Sequence, residues 1–291
     1  MHKQMYELPE AWEEAVIGWV RWLIAAGAPA TTIRTRRGHV RGVARRLRTD
    51  APRGTTVEQI VKVCSNEEWS PDHRRGLKTS LTQFFDWAVK SGLADDNPAF
   101  ELPHVSESRP KPLPVNDRMW KQAITNADAR EALAARLADE VGMRRGEVSI
   151  CHTDDVLETF DGYELVVHGK GNKQRIVPIT DELARDIMRG PGQHAEGYGR
   201  VGYLFPGRID GHISADYIGK LIGDLLPPKW TMHKLRHRFA TRMYVACGKD
   251  IMIVKELLGH ESVKTTQRYL AISNHELRAA VNALAAVPVA A

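Results

Sequence analysis

The sequence predicts a mainly helical protein of two domains, with a small antiparallel β-sheet in the second domain. Apolar residues recur at helical spacing through roughly the first 100 residues, which predicts a bundle of four helices. Four prolines and no periodicity mark residues 103–114 as a linker, and an alternating pattern after Asp154 predicts strands. The predicted organisation is a helical domain over residues 1–102, a linker over 103–114 and an α+β domain over 115–291.

Each predicted helix of the first domain begins at a residue suited to an N-terminal position. The first begins at Pro9, and Thr31 or Thr32 is the expected N-cap of the second. The pair Thr55 and Glu58 forms a capping-box pattern before the third helix, and Ser70–Pro71 starts the fourth. Apolar side chains at helical spacing then form the inward faces of the first and fourth helices: Trp12, Val16, Trp19, Leu23, Leu77, Leu81, Phe84, Phe85 and Ala88.

A basic face runs along the second helix. Five arginines at steps of three and four residues share it: Arg34, Arg37, Arg41, Arg45 and Arg48. Guanidinium groups match phosphate oxygens in charge and geometry, so this face suits a nucleic-acid backbone. The alternative is a solvated helix face, but like charges without acidic partners repel at this spacing, which favours phosphate contact. Three residues of the fourth helix could add such contacts: Arg74, Arg75 and Lys78.

Composition points to a polyanionic partner and away from membranes and disulfides. The formal net charge is +5 and the sequence pI is about 9.1. The three cysteines are far apart and form no CxxC pair, which predicts a reduced, cytoplasmic protein. No uncharged apolar run approaches the length of a transmembrane helix, and no signal peptide is evident, so we expect a soluble protein without a membrane partner.

The second domain opens with two predicted helices, over residues 116–126 and 128–141. The segments VLETF and YELVV then flank Asp161-Gly162, which predicts a β-hairpin with a tight turn. The segment GKGNK leads into a third strand, QRIVPI, and it lacks the GxxxxGK[ST] pattern of a phosphate-binding loop. Ser214 is the expected N-cap of a later helix.

Histidine, arginine and tyrosine side chains concentrate in one stretch of the second domain. His233 and Arg236 are three residues apart and share one face of a predicted helix, so they could address one anion. A following helix is predicted to end at Gly259, which places His260 at a helix terminus. Tyr269 follows nine residues later. The stretch therefore combines groups that bind an anion with a phenol that could act as a nucleophile.

This stretch resembles the tyrosine recombinase (phage integrase) family. The family's pattern is His-x-x-Arg, then Leu-Leu-Gly-His, then a nucleophilic tyrosine nine residues on, and the matching residues are His233, Arg236, Leu257–His260 and Tyr269. Upstream, residues 142–148 read GMRRGEV and resemble the family's Gly-Leu-Arg-x-x-Glu-Leu box, with Met143 in place of leucine. The resemblance covers roughly residues 8–285 and implies a helical core-binding domain joined to an α+β catalytic domain.

The resemblance implies six catalytic residues. The family's first arginine matches Arg144, and we expect Glu147 to buttress it. A lysine on the family's second hairpin reaches the scissile phosphate, and the matching residue is Lys170. The implied catalytic set is Arg144, Lys170, His233, Arg236, His260 and Tyr269.

The implied reaction is DNA strand transfer without a metal or cofactor. Tyr269 would attack phosphorus to form a 3′-phosphotyrosyl bond, and Lys170 would protonate the departing 5′ oxygen. The two arginines and His260 would neutralise the phosphate, and His233 would assist proton removal or orient the phosphate. His233 and His237 have the i,i+4 spacing of a metal pair, but no Glu follows His233 and no third ligand suggests itself.

The implied partners are double-stranded DNA attachment sites and three further copies of the chain, in a homotetramer on two DNA sites. A directionality factor is a candidate accessory protein. The carboxy-terminal segment carries Leu277, Val281 and Leu284 before an apolar tail, AAVPVAA. This segment could dock in a neighbour's groove or fold back on its own domain.

Several functions are compatible with this fold. The Tyr269-Leu270-Ala271 sequence departs from the Tyr-Thr-His common in Xer-like members, and the Arg- and Ala-rich composition suits a phage of a high-GC host. These features favour a mycobacteriophage-type integrase without a separate arm-binding domain. The alternatives are a Xer-like resolvase, a type IB topoisomerase-like enzyme and a non-catalytic DNA-binding protein. The last would be expected to lack some of the six site residues, all of which are present.

Overall fold

The chain divides into two compact units, Met1–Arg109 and Pro110–Ala291. The computed structural model describes residues 7–106, 113–169, 171, 173–208 and 210–267. Helices dominate the described residues, and one three-stranded antiparallel sheet accompanies them, which confirms the predicted fold class. Lys170, Tyr269 and the predicted tail helix lie outside the described residues. No helix of the described part has the length and apolar character that a membrane crossing requires.

The described part of the amino-terminal unit contains four helices around an aromatic core. They are α1 (Glu10–Ala25), α2 (Ala30–Leu47), α3 (Val57–Cys64) and α4 (Pro71–Lys90). Trp12 of α1 stacks on Phe84 of α4 with ring centroids 5.6 Å apart, and Trp19 meets the edge of the same ring at 5.4 Å. All of the apolar residues predicted to face inward on α1 and α4 are buried. These aromatic rings form the core of the unit and are not exposed for base stacking.

Two of the predicted N-caps are wrong, by one residue for α3 and by two or three residues for α2. Helix α2 begins at Ala30 because the Pro29 carbonyl accepts hydrogen bonds from the backbone of Thr32 and Ile33, and neither Thr31 nor Thr32 caps it. The capping box of α3 joins Thr56 to Gln59, instead of Thr55 to Glu58. This register buries Thr55 and places Ile60 in the core.

The carboxy-terminal unit combines helices with the sheet. Its described helices are α5 (Asp117–Asn126), α6 (Ala129–Glu140), α7 (Arg145–Ser149), α8 (Asp181–Met188), α9 (Ala215–Leu225), α10 (Met232–Ala246), α11 (Ile251–Leu258) and α12 (Val263–Gln267). Short 3-10 turns occur at Thr153–Asp155 and Pro191–Gln193. The sequence did not predict α8, whose N-cap is Thr180 and whose Leu183 and Ile187 are buried. Ser214 caps α9 as expected.

The sheet has the order β1-β2-β3, with β1 (Val156–Thr159), β2 (Gly162–His168) and β3 (Gln174–Ile179) antiparallel. Leu165 pairs with Val156 on one side and Val177 on the other. Leu165, Val167 and Val177 are buried in the core of the unit. The predicted hairpin and third strand are therefore present, and Lys170 lies between β2 and β3 in the sequence.

A buried ion-pair cluster fixes α10 to its neighbours. Arg238 of α10 donates to both carboxylate oxygens of Asp139 in α6, at 2.9 and 2.7 Å, and to Asp117 at 2.5 Å. Arg242, one turn further along α10, donates to Asp139 at 3.1 Å. Asp139 is only 1% exposed, so its charge requires these arginine partners, and the ion pairs hold α10 against α6. His233 and Arg236 are on the same helix.

Candidate active site

Arg236 occupies the centre of the candidate site. Its side chain is 1% exposed and donates to the carbonyl oxygens of Gly142 and Leu258, the latter at 2.7 Å. It also donates to Nε2 of His260 at 3.0 Å. Gly142 has a φ of 69°, and a Cβ there would lie 2.5 Å from the Phe239 ring, so only glycine fits this approach. The guanidinium is therefore fixed by backbone groups from two different segments.

Glu147 of α7 is a buried carboxylate that several arginines share. It accepts from the backbone N–H of Arg144 at 2.9 Å and from the Arg144 guanidinium at 2.7 Å. The Arg236 guanidinium lies 3.9 Å from the same carboxylate. Burial opposes ionisation of Glu147, but hydrogen bonds from Arg175 and Arg144 outweigh it, so its pKa lies below the ordinary value. The expected buttressing of Arg144 by Glu147 is thus present in the geometry.

Arg175 of β3 is a part of this cluster that the sequence analysis missed. Its Nη1 and Nη2 donate to the two carboxylate oxygens of Glu147 at 3.1 and 2.8 Å, and its Nε donates to the Leu257 carbonyl at 2.9 Å. The signal that could have revealed it is its alternation with Val177 on the inward face of the strand. A charged residue at an inward-facing strand position requires a buried partner.

His260 follows α11 directly, after Gly259 ends that helix with a φ of 61°. Its Nδ1 lies 2.9 Å from Oγ1 of the buried Thr266 in α12. Arginine can only donate, so Nε2 of His260 accepts from Arg236, and Nδ1 carries the proton and donates to Thr266. Burial, reinforced by Arg236, Arg144 and Arg175, lowers the pKa of His260 to about 3. His260 is therefore neutral at physiological pH.

His233 lies one turn before Arg236 on α10, and its ring meets that of His237 edge to face, with centroids 4.9 Å apart. Burial lowers the pKa of His233, and the nearby Arg236, Lys234 and Arg144 add to the effect. A neutral imidazole at this place can accept a proton. The described residues contain no group of three or more His, Cys, Asp or Glu side chains arranged to hold a metal ion.

Comparison with known proteins establishes the family of the chain. The Phage integrase family matches residues 116–276, which is more than half of the chain. The chain belongs to this family, the tyrosine recombinases. It is 34% identical to the tyrosine recombinase XerC of Syntrophus aciditrophicus over 218 residues, covering 69% of each chain. It is 28% identical to XerC of Chromobacterium violaceum over 286 residues, covering 91% of this chain and 92% of that protein.

Two solved structures share the fold of the recombinase. XerH site-specific recombinase bound to a palindromic difH substrate has a TM-score of 0.73 at 17% identity, covering 98% of this chain and 100% of that chain. A lambda integrase dimer bound to a COC′ core site has a TM-score of 0.69 at 17% identity, covering 88% and 76%. At these identities the likeness establishes the fold.

The described part of the recombinase brings four of the six predicted catalytic residues into one unit: Arg144, His233, Arg236 and His260. The two others flank described segments. In the sequence Lys170 lies between β2 and β3, and the N–H of Gly169 before it donates to the Lys173 carbonyl at 2.7 Å. Tyr269 follows α12 by two residues in the sequence.

The predicted basic face of the recombinase is less uniform than the sequence suggested. The expectation that it lacks acidic partners is wrong at Arg41, which forms an ion pair with Glu13 of α1. Arg34 and Arg37 are exposed, and Arg45 is half-buried. Arg48 lies just past the end of α2 in a left-handed conformation with a φ of 56°, so it is not part of the helical row.

The basic residues of α4 also have contacts within their own unit. Arg74 donates to the Asn66 carbonyl at 2.7 Å, and Lys78 donates to the Leu102 carbonyl. Arg75 pairs with Asp72 at 3.2 Å, but its side chain remains 40% exposed. Phosphate contact by Arg74 or Lys78 would therefore compete with these backbone hydrogen bonds.

Proposed function

We propose that the recombinase cuts and rejoins double-stranded DNA at specific sites through a covalent 3′-phosphotyrosyl bond to Tyr269. One observation carries this proposal. Arg236 is bonded directly to His260, and Arg144 and Arg236 both lie against the carboxylate of Glu147. Two guanidinium groups and an imidazole thus lie around one buried carboxylate, and Arg144, which is 44% exposed, faces solvent. Such a site suits the pentavalent phosphate formed during strand transfer, whose extra negative charge needs preorganised donors.

The proposed cleavage step exchanges one phosphoester for another. The Tyr269 oxygen attacks phosphorus, the bond between phosphorus and the 5′ oxygen breaks, and a 5′-hydroxyl leaves. The phenolic proton passes to His233, which burial keeps neutral and ready to accept it. Lys170 gives a proton to the departing 5′ oxygen. A 5′-hydroxyl from a second strand then attacks the phosphotyrosine, and the same proton transfers run in reverse.

His260 must change its tautomer to take part. In the structure its Nε2 accepts from Arg236, so it cannot donate to a phosphate oxygen in that form. A phosphate would take the Arg236 donors in place of Nε2. The hydroxyl of Thr266 can donate as well as accept, so His260 can move its proton to Nε2 and keep its bond to Thr266. Thr266 therefore serves both tautomers.

The biological role we propose is integration and excision of a phage genome. The sequence after Tyr269, which departs from the Xer pattern, supports this role. A Xer-like resolvase is the second candidate, and the 34% identity to the XerC of Syntrophus aciditrophicus favours it. In either role the proposed active species is a homotetramer on two attachment sites, since an exchange between two duplexes needs four strand cleavages. A directionality factor is the accessory partner expected for an integrase.

Sequencing of DNA trapped on the protein tests both the chemistry and the role. The recombinase is expressed in cells, denatured without proteolysis and purified, and DNA that remains covalently attached is sequenced. A phage attachment site joined to a host sequence supports the integrase role, and a chromosomal resolution site supports the Xer-like role. If no DNA is attached to the denatured protein, the proposed covalent chemistry is refuted.

A further inference from the structure

We propose that Arg175 is a positioning residue for strand transfer, which holds the Arg144 loop and the His260 segment in register. This inference rests on the proposed function. Arg175 is not in the family pattern quoted above, and its hydrogen bonds are to Glu147 and Leu257. Its role would be exerted through Glu147 and Leu257.

The contacts of Arg175 join three parts of the site that are distant in sequence. Arg175 itself is on β3, Glu147 is on α7 beside Arg144, and Leu257 is in the last turn of α11. The guanidinium uses two donors on the carboxylate and a third on the Leu257 carbonyl, with distances of 2.8 to 3.1 Å. A rigid fork with donors in three directions is specific to arginine, and a lysine ammonium could not satisfy both partners in this geometry.

The chain at the end of α11 is shaped to fit this side chain. A Cβ on Gly259 would lie 2.9 Å from Cδ of Arg175. Two features therefore favour glycine at position 259: its positive φ of 61° and the close approach of the Arg175 side chain. A second contact, the ion pair of Lys173 with Glu261, joins the same strand segment to the residue after His260. The position of His260 is therefore coupled to β3.

The residue that follows β2 lies near the same carboxylate. A Cβ on Gly169 would lie at van der Waals distance, 3.8 Å, from Oε1 of Glu147. Arg175 holds β3 against Glu147 from the other end of the turn. The proposed general acid, Lys170, lies between these two points in the sequence.

Arg175 also balances the negative charge of the buried Glu147 carboxylate. Glu147 is 4% exposed, so its negative charge must be balanced by neighbouring cations. Arg175 supplies a full fork of hydrogen bonds to it, which leaves Arg144, 44% exposed, free to present its remaining donors to a phosphate. Without Arg175, the carboxylate would draw Arg144 and Arg236 toward itself. We therefore expect loss of Arg175 to slow chemistry more than it weakens DNA binding.

The test compares Arg175→Gln with a matched control, Arg136→Gln. Arg136 is also a poorly exposed arginine with carboxylate partners, Glu140 and Asp186, in the same unit. Its ion pairs involve none of the four described catalytic residues. Three quantities are measured for each variant: the single-turnover rate of cleavage of a nicked attachment-site substrate, the Kd for DNA and the thermal unfolding temperature. We expect Arg175→Gln to cleave about 100-fold more slowly with an unchanged Kd. Arg136→Gln should lose stability but, when folded, cleave at the wild-type rate.

Two further variants separate positioning from a general loss of structure. Arg175→Lys should fall between the wild type and Arg175→Gln, because it retains a charge but reaches only part of the acceptor set. The double variant Arg175→Gln with Glu147→Gln should lose less rate than the product of the two single losses, since both substitutions remove the contact between Arg175 and Glu147. Wild-type cleavage by folded Arg175→Gln, or a rate loss that Arg136→Gln shares, would overturn the proposal.

A measurement without DNA keeps this proposal distinct from the proposed function. NMR of the His260 ring reports its protonation, and Arg175 is one of the cations that lower the pKa of His260. The pKa of His260 should therefore rise in Arg175→Gln and stay unchanged in Arg136→Gln. If the wild type cleaves no DNA but the His260 signal shifts in this way, the proposed function fails and the coupling stands. If His260 is unaffected, the positioning role is refuted.

Discussion

The exposed end of the basic face offers a quantitative test of DNA contact. Arg34 and Arg37 are exposed on α2, whereas Arg41 is held by Glu13. Each phosphate contact contributes about 0.9 to the slope of log K against log salt. Replacing Arg34 and Arg37 by Gln should therefore reduce the slope by about 1.8, which equals about a 12-fold smaller loss of affinity between 50 and 200 mM salt. Gln retains helix propensity, so α2 should remain intact.

The assay is fluorescence anisotropy of a labelled attachment-site duplex over a series of salt concentrations. Arg41→Gln is the matched control on the same helix, and we expect a smaller change in slope because its guanidinium is already paired. Circular dichroism checks that each variant is folded. An unchanged slope for the double variant would mean that this face is merely solvated, and the assignment of Arg34 and Arg37 to DNA contact would be refuted.

Three other predictions follow from the carboxy-terminal unit. Asp139→Ala leaves the buried Arg238 without its main partner and should reduce the free energy of unfolding by about 3–5 kcal/mol, measured by urea denaturation. Folding lowers the pKa of His260 from 6.5 to about 3, so the folded state gains stability above pH 6.5 that is lost as the pH falls toward 3. Between pH 7 and 5, the free energy of unfolding should therefore fall less in His260→Gln than in the wild type. Deletion after His275 should spare single-site DNA binding but reduce recombination of two sites, measured by gel shift and product formation; full recombination would exclude the tail as the connector between protomers.

Local features of the fold were predictable where the sequence carries a local signal. The aromatic stripe of α1 and α4 and the ends of α11 at Asp250 and Gly259 follow from periodicity and capping chemistry. The predicted start of α3 was wrong by one residue, because Thr55 and Thr56 both offer a capping hydroxyl. Thr55 is buried, and Thr56 caps the helix. Where two local signals compete, tertiary packing selects one.

Contacts between distant residues could not be predicted in the same way. Arg175 and Glu147 are 28 residues apart, as are Arg41 and Glu13, and neither pairing has a periodic signature. The sequence identified Arg144, Arg236 and His260 because their spacing resembles a family pattern. It gave no sign that Arg236 donates to His260 or that Thr266 fixes the imidazole. These features depend on how α10, α11 and α12 pack together.

The most direct test of the proposed chemistry is the adduct formed by Tyr269. A nicked suicide duplex, which loses the 5′-hydroxyl strand after cleavage, traps any covalent protein–DNA complex. Tyr269→Phe removes only the phenolic oxygen, so the adduct should vanish while the affinity for DNA stays near that of the wild type. An adduct that persists in Tyr269→Phe would contradict the account and place the nucleophile on another residue, with Tyr244 as the next to be tested.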